Sequence, residues 1–229
     1  MWRTSLILPA LLAILAGCGQ ASGGNEPAET GRTKFHMRQH FSDLRTIERM
    51  LVAGKLEEAK TLAYMLKSVG DVGQTPETRE VALAVGALRT ARTIDDAIYA
   101  EVRIATACAH CHVAAQKLPV FPLPSRAPAD LATIEAQMAR HQWAVDRVWE
   151  GLVGSSDEHW RAGLYVLATS PLPRTPTQSP QLATQLQKRA QAALDDQSAT
   201  LEQRGEAYVG LLTTCAACHA TSASKPRPR

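Results

Sequence analysis

Two five-residue segments restrict this chain more than anything else in it: Cys108-Ala-His-Cys111-His112 and Cys215-Ala-Ala-Cys218-His219. Both read Cys-x-x-Cys-His. At that spacing two thiols can add across the two vinyl groups of one porphyrin, while the adjacent histidine turns under the ring to reach iron. A chance match in a chain of this composition is expected roughly 0.003 times, so two in corresponding places are not coincidence. Zinc sites also use paired cysteines, but there the histidine would be surplus and the halves lie too far apart in sequence. A thioredoxin-like pair would follow a strand and occur once, whereas these copies end helical patterns. Structural disulfides would not call for the histidine at all. Cys108, Cys111, Cys215 and Cys218 are therefore read as the covalent anchors of two haem c groups, with His112 and His219 as the proximal iron ligands.

The chain is written twice. Met37-Arg-Gln-His40-Phe41 matches Met138-Ala-Arg-His141-Gln142 at a separation of 101 positions, and the first motif cysteines, Cys108 and Cys215, are 107 apart. The excess of six fits an insertion within Pro171–Pro180. A repeat of this length means two similar domains, not a solenoid of short units. Each half reads as four helices. In the first, an apolar period through Met37, Phe41, Leu44, Ile47 and Leu51 stops at Gly54. Leu56 to Val69 follows, closed by a turn at Gly70 to Gly73; Pro76 opens the third helix, and Thr93 caps the fourth, which runs into the haem motif. In the second half Asp130 is read as the cap of Leu131 to Val153. Ser156 opens the next helix, Gln181 to Leu194 follows, and Ser198 starts the last. Aromatic residues make up only 5% of the chain and strand patterns are nearly absent. The expected fold class is all-α: two tandem four-helix bundles, each with one covalently bound haem c.

The remaining cysteine has its own context. Met1-Trp-Arg3 precedes an apolar run too short to span a bilayer, ending in Leu15-Ala16-Gly17-Cys18. This is the pattern of a bacterial lipoprotein signal, with Cys18 acylated as the mature N-terminus, so export and a lipid anchor facing the periplasm are expected. The boundaries read as 1–17 signal peptide, 18–32 flexible tether, 33–117 first domain, 118–129 proline-rich linker, 130–221 second domain and 222–229 basic disordered tail. The tether has a reach of about 20 Å, and the linker should hold the haem spacing fairly fixed. A net charge of +3 without a basic aromatic stripe implies no nucleic-acid partner. His110 reads as solvent-exposed, and His159 as a surface or interface residue.

A four-helix unit ending in Cys-x-x-Cys-His, with Met-x-x-His-Phe in its first helix, resembles the class II cytochromes c, the cytochrome c′ group and its low-spin relatives. The resemblance implies a left-handed antiparallel bundle with haem between the first and last helices. This chain departs from it by fusing two units and adding a lipid anchor. Independently of the family, in an up-down-up-down bundle the end of helix four lies beside the start of helix one. The distal candidates are therefore His40 and His141, or Met37 and Met138, on one face of each first helix; an iron without a second protein ligand is the third alternative. His36 has no counterpart, since Gln137 stands in its place. Histidine would give low-potential, low-spin iron, methionine a higher potential, and an open site would bind gases. With no separate catalytic constellation, the expectation is electron transfer between redox proteins of a membrane electron-transport chain, the bilayer being a partner through Cys18. A gas-binding or sensing protein and, less favoured, a dihaem peroxidase are the alternatives.

Overall fold

The computed structural model describes residues 26–66, 75–122, 125–171 and 179–223. Among them are eight helices and no strand: α1 (Glu26–Val52), α2 (Leu56–Met65), α3 (Pro76–Thr90), α4 (Ile94–Ala114), α5 (Ile134–Val153), α6 (Asp157–Thr169), α7 (Pro180–Asp195) and α8 (Leu201–Ala223). The chain is all-α. Among the described residues no helix is long and apolar enough to cross a membrane.

Local chemistry sets the helix ends. Thr75 and Thr78 form a reciprocal capping box around Pro76 at the start of α3. Thr93 accepts from the Asp96 backbone N–H at 3.1 Å, and Ser156 and Ser179 cap α6 and α7. Two expected caps are corrected. Thr133, not Asp130, caps α5, which begins at Ile134; Thr200, not Ser198, starts α8, exchanging bonds with Gln203. Ser198 instead turns back on the Asp196 carboxylate. In each case a short hydroxyl with a backbone N–H two or three residues on displaces the candidate further upstream. Helix α1 reaches back to Glu26, so residues 26–32 of the expected tether are helical, as are 222–223 of the expected tail. The turn at 70–73, Cys18 and the signal segment lie outside the described residues.

At the C-terminal end of α1, Gly54 at φ +77° lets its own N–H reach Leu51 and the Lys55 N–H reach Met50. The repeat-equivalent position, 101 further on, is Ser155, which makes the same pair of bonds at φ +49° without glycine's freedom.

The helices α3 and α4 pack closely, as do α5 and α6. A Cβ at Gly151 would stand 2.3 Å from the Trp160 nitrogen, and one at Gly163 2.4 Å from the Ala144 carbonyl oxygen. Four helices meet at the centre. Helices α4 and α8 are antiparallel, with His110 Nε2 2.8 Å from Glu202 Oε1 and Gly205 facing Thr106. Helices α1 and α5 are antiparallel too, since Phe41 stacks edge-on against Trp149 at 4.6 Å while Arg45 reaches Asp146. The buried apolar residues of both halves, from Leu44 to Ala216, form one continuous cluster.

The linker is pinned at two places. The Phe121 ring lies 5.6 Å from that of Phe41, and His159, 4% exposed, holds the Pro122 carbonyl at 2.9 Å and Ser156 Oγ at 2.9 Å. Arg140 donates to the Pro128 carbonyl at 2.5 Å. His159 is therefore a buried strap between linker and α6 rather than a surface residue. His110 is partly covered by Glu202 rather than free in solvent.

Candidate functional site

Each Cys-x-x-Cys-His segment lies inside the last turns of a long helix, so its two cysteines, three residues apart, share one face. No disulfide joins Cys108, Cys111, Cys215 or Cys218 to one another. Cys108 and Cys215 keep some surface as residues, yet their sulfurs lie in dense surroundings, and burial pushes both thiols up to about 12. Burial also raises Cys111 and Cys218. Helix α4 ends just past its motif in a turn with Gln116 at φ +53°, where the Lys117 N–H reaches the His112 carbonyl at 3.0 Å. That turn brings the Lys117 carbonyl within 2.9 Å of His112 Nδ1. A carbonyl only accepts, so Nδ1 is the donor in this contact. Iron-binding histidines are commonly oriented by this kind of backbone contact. His219 is exposed at the end of α8.

The register of the helices decides what faces each motif. Arg140 donates to Ser170 Oγ at 2.7 Å, Gln187 donates to the Ser170 carbonyl at 3.0 Å, and Gly210 faces Arg189. At the other end of the pair Arg204 reaches Asp157 and lies 5.5 Å from the Trp160 ring, which packs on Gly151, so α8 runs antiparallel to α5 and His141 stands about one turn from the level of Cys215. With α1 antiparallel to α5 and α8 antiparallel to α4, α1 is antiparallel to α4. Tyr208, bonded to Glu48, stands one turn beyond Gly205, which faces Thr106, so Glu48 falls near the level of Glu101 and Met37 to Phe41 near that of residues 108–112. Each motif therefore has the first helix of its own half alongside it. The two motifs lie at opposite ends of the α4–α8 pair: Glu202 faces the first, and the second begins thirteen residues later, about 20 Å along the axis.

Among the distal candidates the two histidines share a peculiarity. His40 Nε2 and His141 Nε2 are both buried and have no hydrogen-bond partner. Buried polar atoms without partners are rare and call for an explanation. Burial lowers the pKa of both, that of His141 to about 4, so each imidazole is neutral at pH 7 and keeps a lone pair. Met37 and Met138 are half-buried beside them. Among the described residues no group of three or more His, Cys, Asp or Glu could hold a bare metal ion.

Between the motifs lies a cluster that inspection of the sequence missed. Arg45, 3% exposed, contacts the Glu48 and Asp146 carboxylates closely, and its guanidinium donates to Tyr208 Oη at 3.3 Å. Tyr208 Oη donates to Glu48 Oε2 at 2.5 Å, and the guanidinium carbon lies 5.3 Å from the Trp149 ring centroid. Burial works against the charge of Arg45, but Glu48, Tyr208 and Asp146 outweigh it and hold its pKa above the ordinary value. Burial pushes Glu48 up against the pull of Arg45 and the Tyr208 hydroxyl. Because a guanidinium does not give up its proton, the contact is that of a cation with its carboxylate. Arg45, Glu48 and Glu101 each sit amid apolar neighbours at helical spacing, a signal that would have found them only with the helix faces known.

No family model, no curated protein and no solved structure matches the chain.

Proposed function

We propose that the chain is a dihaem c-type cytochrome that carries electrons on the periplasmic side of a membrane, tethered by an acylated Cys18. Two haem c groups would be thioether-bonded, one at Cys108 and Cys111 and one at Cys215 and Cys218, with His112 and His219 as proximal ligands. The two bundles would be of the class II cytochrome c kind, each with its haem between its first and last helix. When bound, each haem supplies a one-electron ferric–ferrous couple. The chain's own residues orient the axial nitrogens, exclude water and hold the separation of the two sites. Redox proteins of a membrane electron-transport chain are the partners in this reading.

One observation carries it. The Cys-x-x-Cys-His signature occurs twice, each time ending a helix whose antiparallel neighbour bears a buried imidazole with an unpartnered Nε2 at nearly the same level. An axial bond to iron is what would satisfy His40 and His141, and on this ground they are proposed as distal ligands ahead of Met37 and Met138. The spacing of the two sites, on this reading, comes from the shared core of α1, α4, α5 and α8 more than from the linker.

The test is a pyridine haemochrome assay with intact mass on protein made in an export-competent host. Two haems and an acyl modification per chain are expected. Colourless protein, or four free thiols outside the signal segment, would sink the reading. Ferric spectra then separate the ligand pairs: low-spin features without a methionine–iron charge-transfer band support histidine, and high-spin features remove both pairs.

A further inference from the structure

We propose that Glu101 is a redox-linked proton site, gaining a proton when haem iron is reduced and releasing it on oxidation. The inference rests on the haem reading above and adds proton binding to it.

The geometry begins with the repeat. Arg45 and Asp146 occupy equivalent positions, 101 apart, and touch each other, so a local two-fold relation passes between them. Glu48 and Tyr208 touch on one side of it, and the equivalent residues on the other side are Trp149 and Glu101. The two sides differ. Tyr208 donates to Glu48 at 2.5 Å, whereas no hydrogen bond of ordinary geometry reaches either oxygen of the 0% exposed Glu101, and Trp149 makes only a weak contact with it. Arg45, the cation of the cluster, is already engaged by Glu48, Asp146 and Tyr208. An anionic Glu101 would have no cation to itself, while a protonated one costs far less to bury. Burial first and Glu48 second hold its pKa well above the usual carboxylate range, Arg45 and Trp149 opposing them.

The groups that act on it are Arg45 and Glu48 from α1, Trp149 from α5, Tyr208 from α8 and Cys108 on its own helix, with Asp146 of α5 held on the far side of Arg45. From α3, Glu80 is engaged with Arg103 on an exposed flank. Glu101 precedes Cys108 by seven residues and Tyr208 precedes Cys215 by seven, two helical turns or about 10 Å each. The cluster therefore sits between the motifs at similar distance from both. Each reduction adds one negative charge to that surrounding: ferric iron, one electron from the donor protein, one proton from water and the Glu101 carboxylate give ferrous iron and the Glu101 acid. Solvent reaches the cluster at Asp146, whose side chain is 35% exposed. At roughly 15 Å and an effective dielectric of about 20, the added charge should raise proton affinity about six-fold.

The experiment compares haem-loaded wild type with Glu101→Gln, a near-isosteric change. Midpoint potentials are titrated from about pH 5 to about pH 9, and redox-difference infrared spectra are recorded alongside. Expected are wild-type potentials that fall as pH rises, across a window matching an about six-fold change in affinity, with a carboxylic-acid C=O band that grows on reduction. Glu101→Gln should lose both. Flat wild-type potentials, or a slope and band unchanged in Glu101→Gln, overturn the proposal while leaving the cytochrome reading intact. Absence of haem in the pyridine assay removes that reading and this proposal with it.

Discussion

Replacing Arg45 by methionine should cost this protein about 3–5 kcal/mol of stability. Methionine keeps most of the aliphatic volume against the Trp149 ring, so the change acts on charge and hydrogen bonds more than on packing. Glu48, 1% exposed, loses its cation and retains only the Tyr208 hydroxyl. Removing one member of a buried ion pair leaves the other charge uncompensated, and such changes typically cost about 3–5 kcal/mol. Asp146 adds little, because its side chain is 35% exposed and can rehydrate. In a chain of this size the loss corresponds to a fall in Tm of roughly 6–20 °C. A second variant, Arg45→Met with Glu48→Leu, removes both charges and should recover at least about 2 kcal/mol, the remainder being the unpaired Tyr208 hydroxyl. The pH dependence has a definite sign. In Arg45→Met the folded Glu48 pKa is raised above its unfolded value, so the folded state holds the extra proton. Burial already raises Glu48 in the wild type, so the deficit is smallest where Glu48 is protonated in both folded proteins and grows as pH rises from the wild-type folded value toward the higher one of Arg45→Met. Urea unfolding of the haem-loaded proteins, followed by far-ultraviolet circular dichroism at several pH values, reads all three quantities. A deficit under about 1 kcal/mol, or one unaffected both by pH and by removing Glu48, would refute the account of the cluster.

Four further outcomes are expected. Gly163→Ala places a Cβ 2.4 Å from the Ala144 carbonyl oxygen and 2.7 Å from the Val148 nitrogen, backbone atoms that cannot step aside, so α5 and α6 must separate; thermal unfolding should show a loss of about 1–3 kcal/mol or more. Ser155→Gly relieves a left-handed backbone at φ +49° and should stabilise the protein by about 1 kcal/mol in the same assay, in contrast to the many substitutions that only destabilise. Cys215→Ala combined with Cys218→Ala should halve the haem content measured by pyridine haemochrome, while His141→Ala should retain both haems and turn half of the ferric spectrum high-spin; an unaltered spectrum would show that His141 is not an axial ligand.

Much of the architecture was open to reading because its causes are local. Helix class follows from the apolar period of 3.6 and the shortage of β-branched and aromatic runs. The starts read at Thr93 and Ser156 follow from a hydroxyl placed three residues before a free backbone N–H, whereas the caps Thr75 and Ser179, each one residue before a proline, went unread. Where two such candidates stood close together, as with Asp130 and Thr133 or Ser198 and Thr200, the sequence could not choose, since both satisfy the same local rule.

The amino-acid order alone determined the two Cys-x-x-Cys-His segments, the repeat and the helical class, because a covalent motif is a matter of spacing along one chain and a helix bonds to itself every four residues. Tertiary structure decided the rest: that His40 and His141 bury unpartnered nitrogens, that His159 straps the linker, and that Arg45 meets Asp146 and Tyr208 across 101 and 163 positions. Those contacts depend on which faces of α1, α4, α5 and α8 turn toward one another. That choice is made by the packing of the whole core, and no window of sequence contains it.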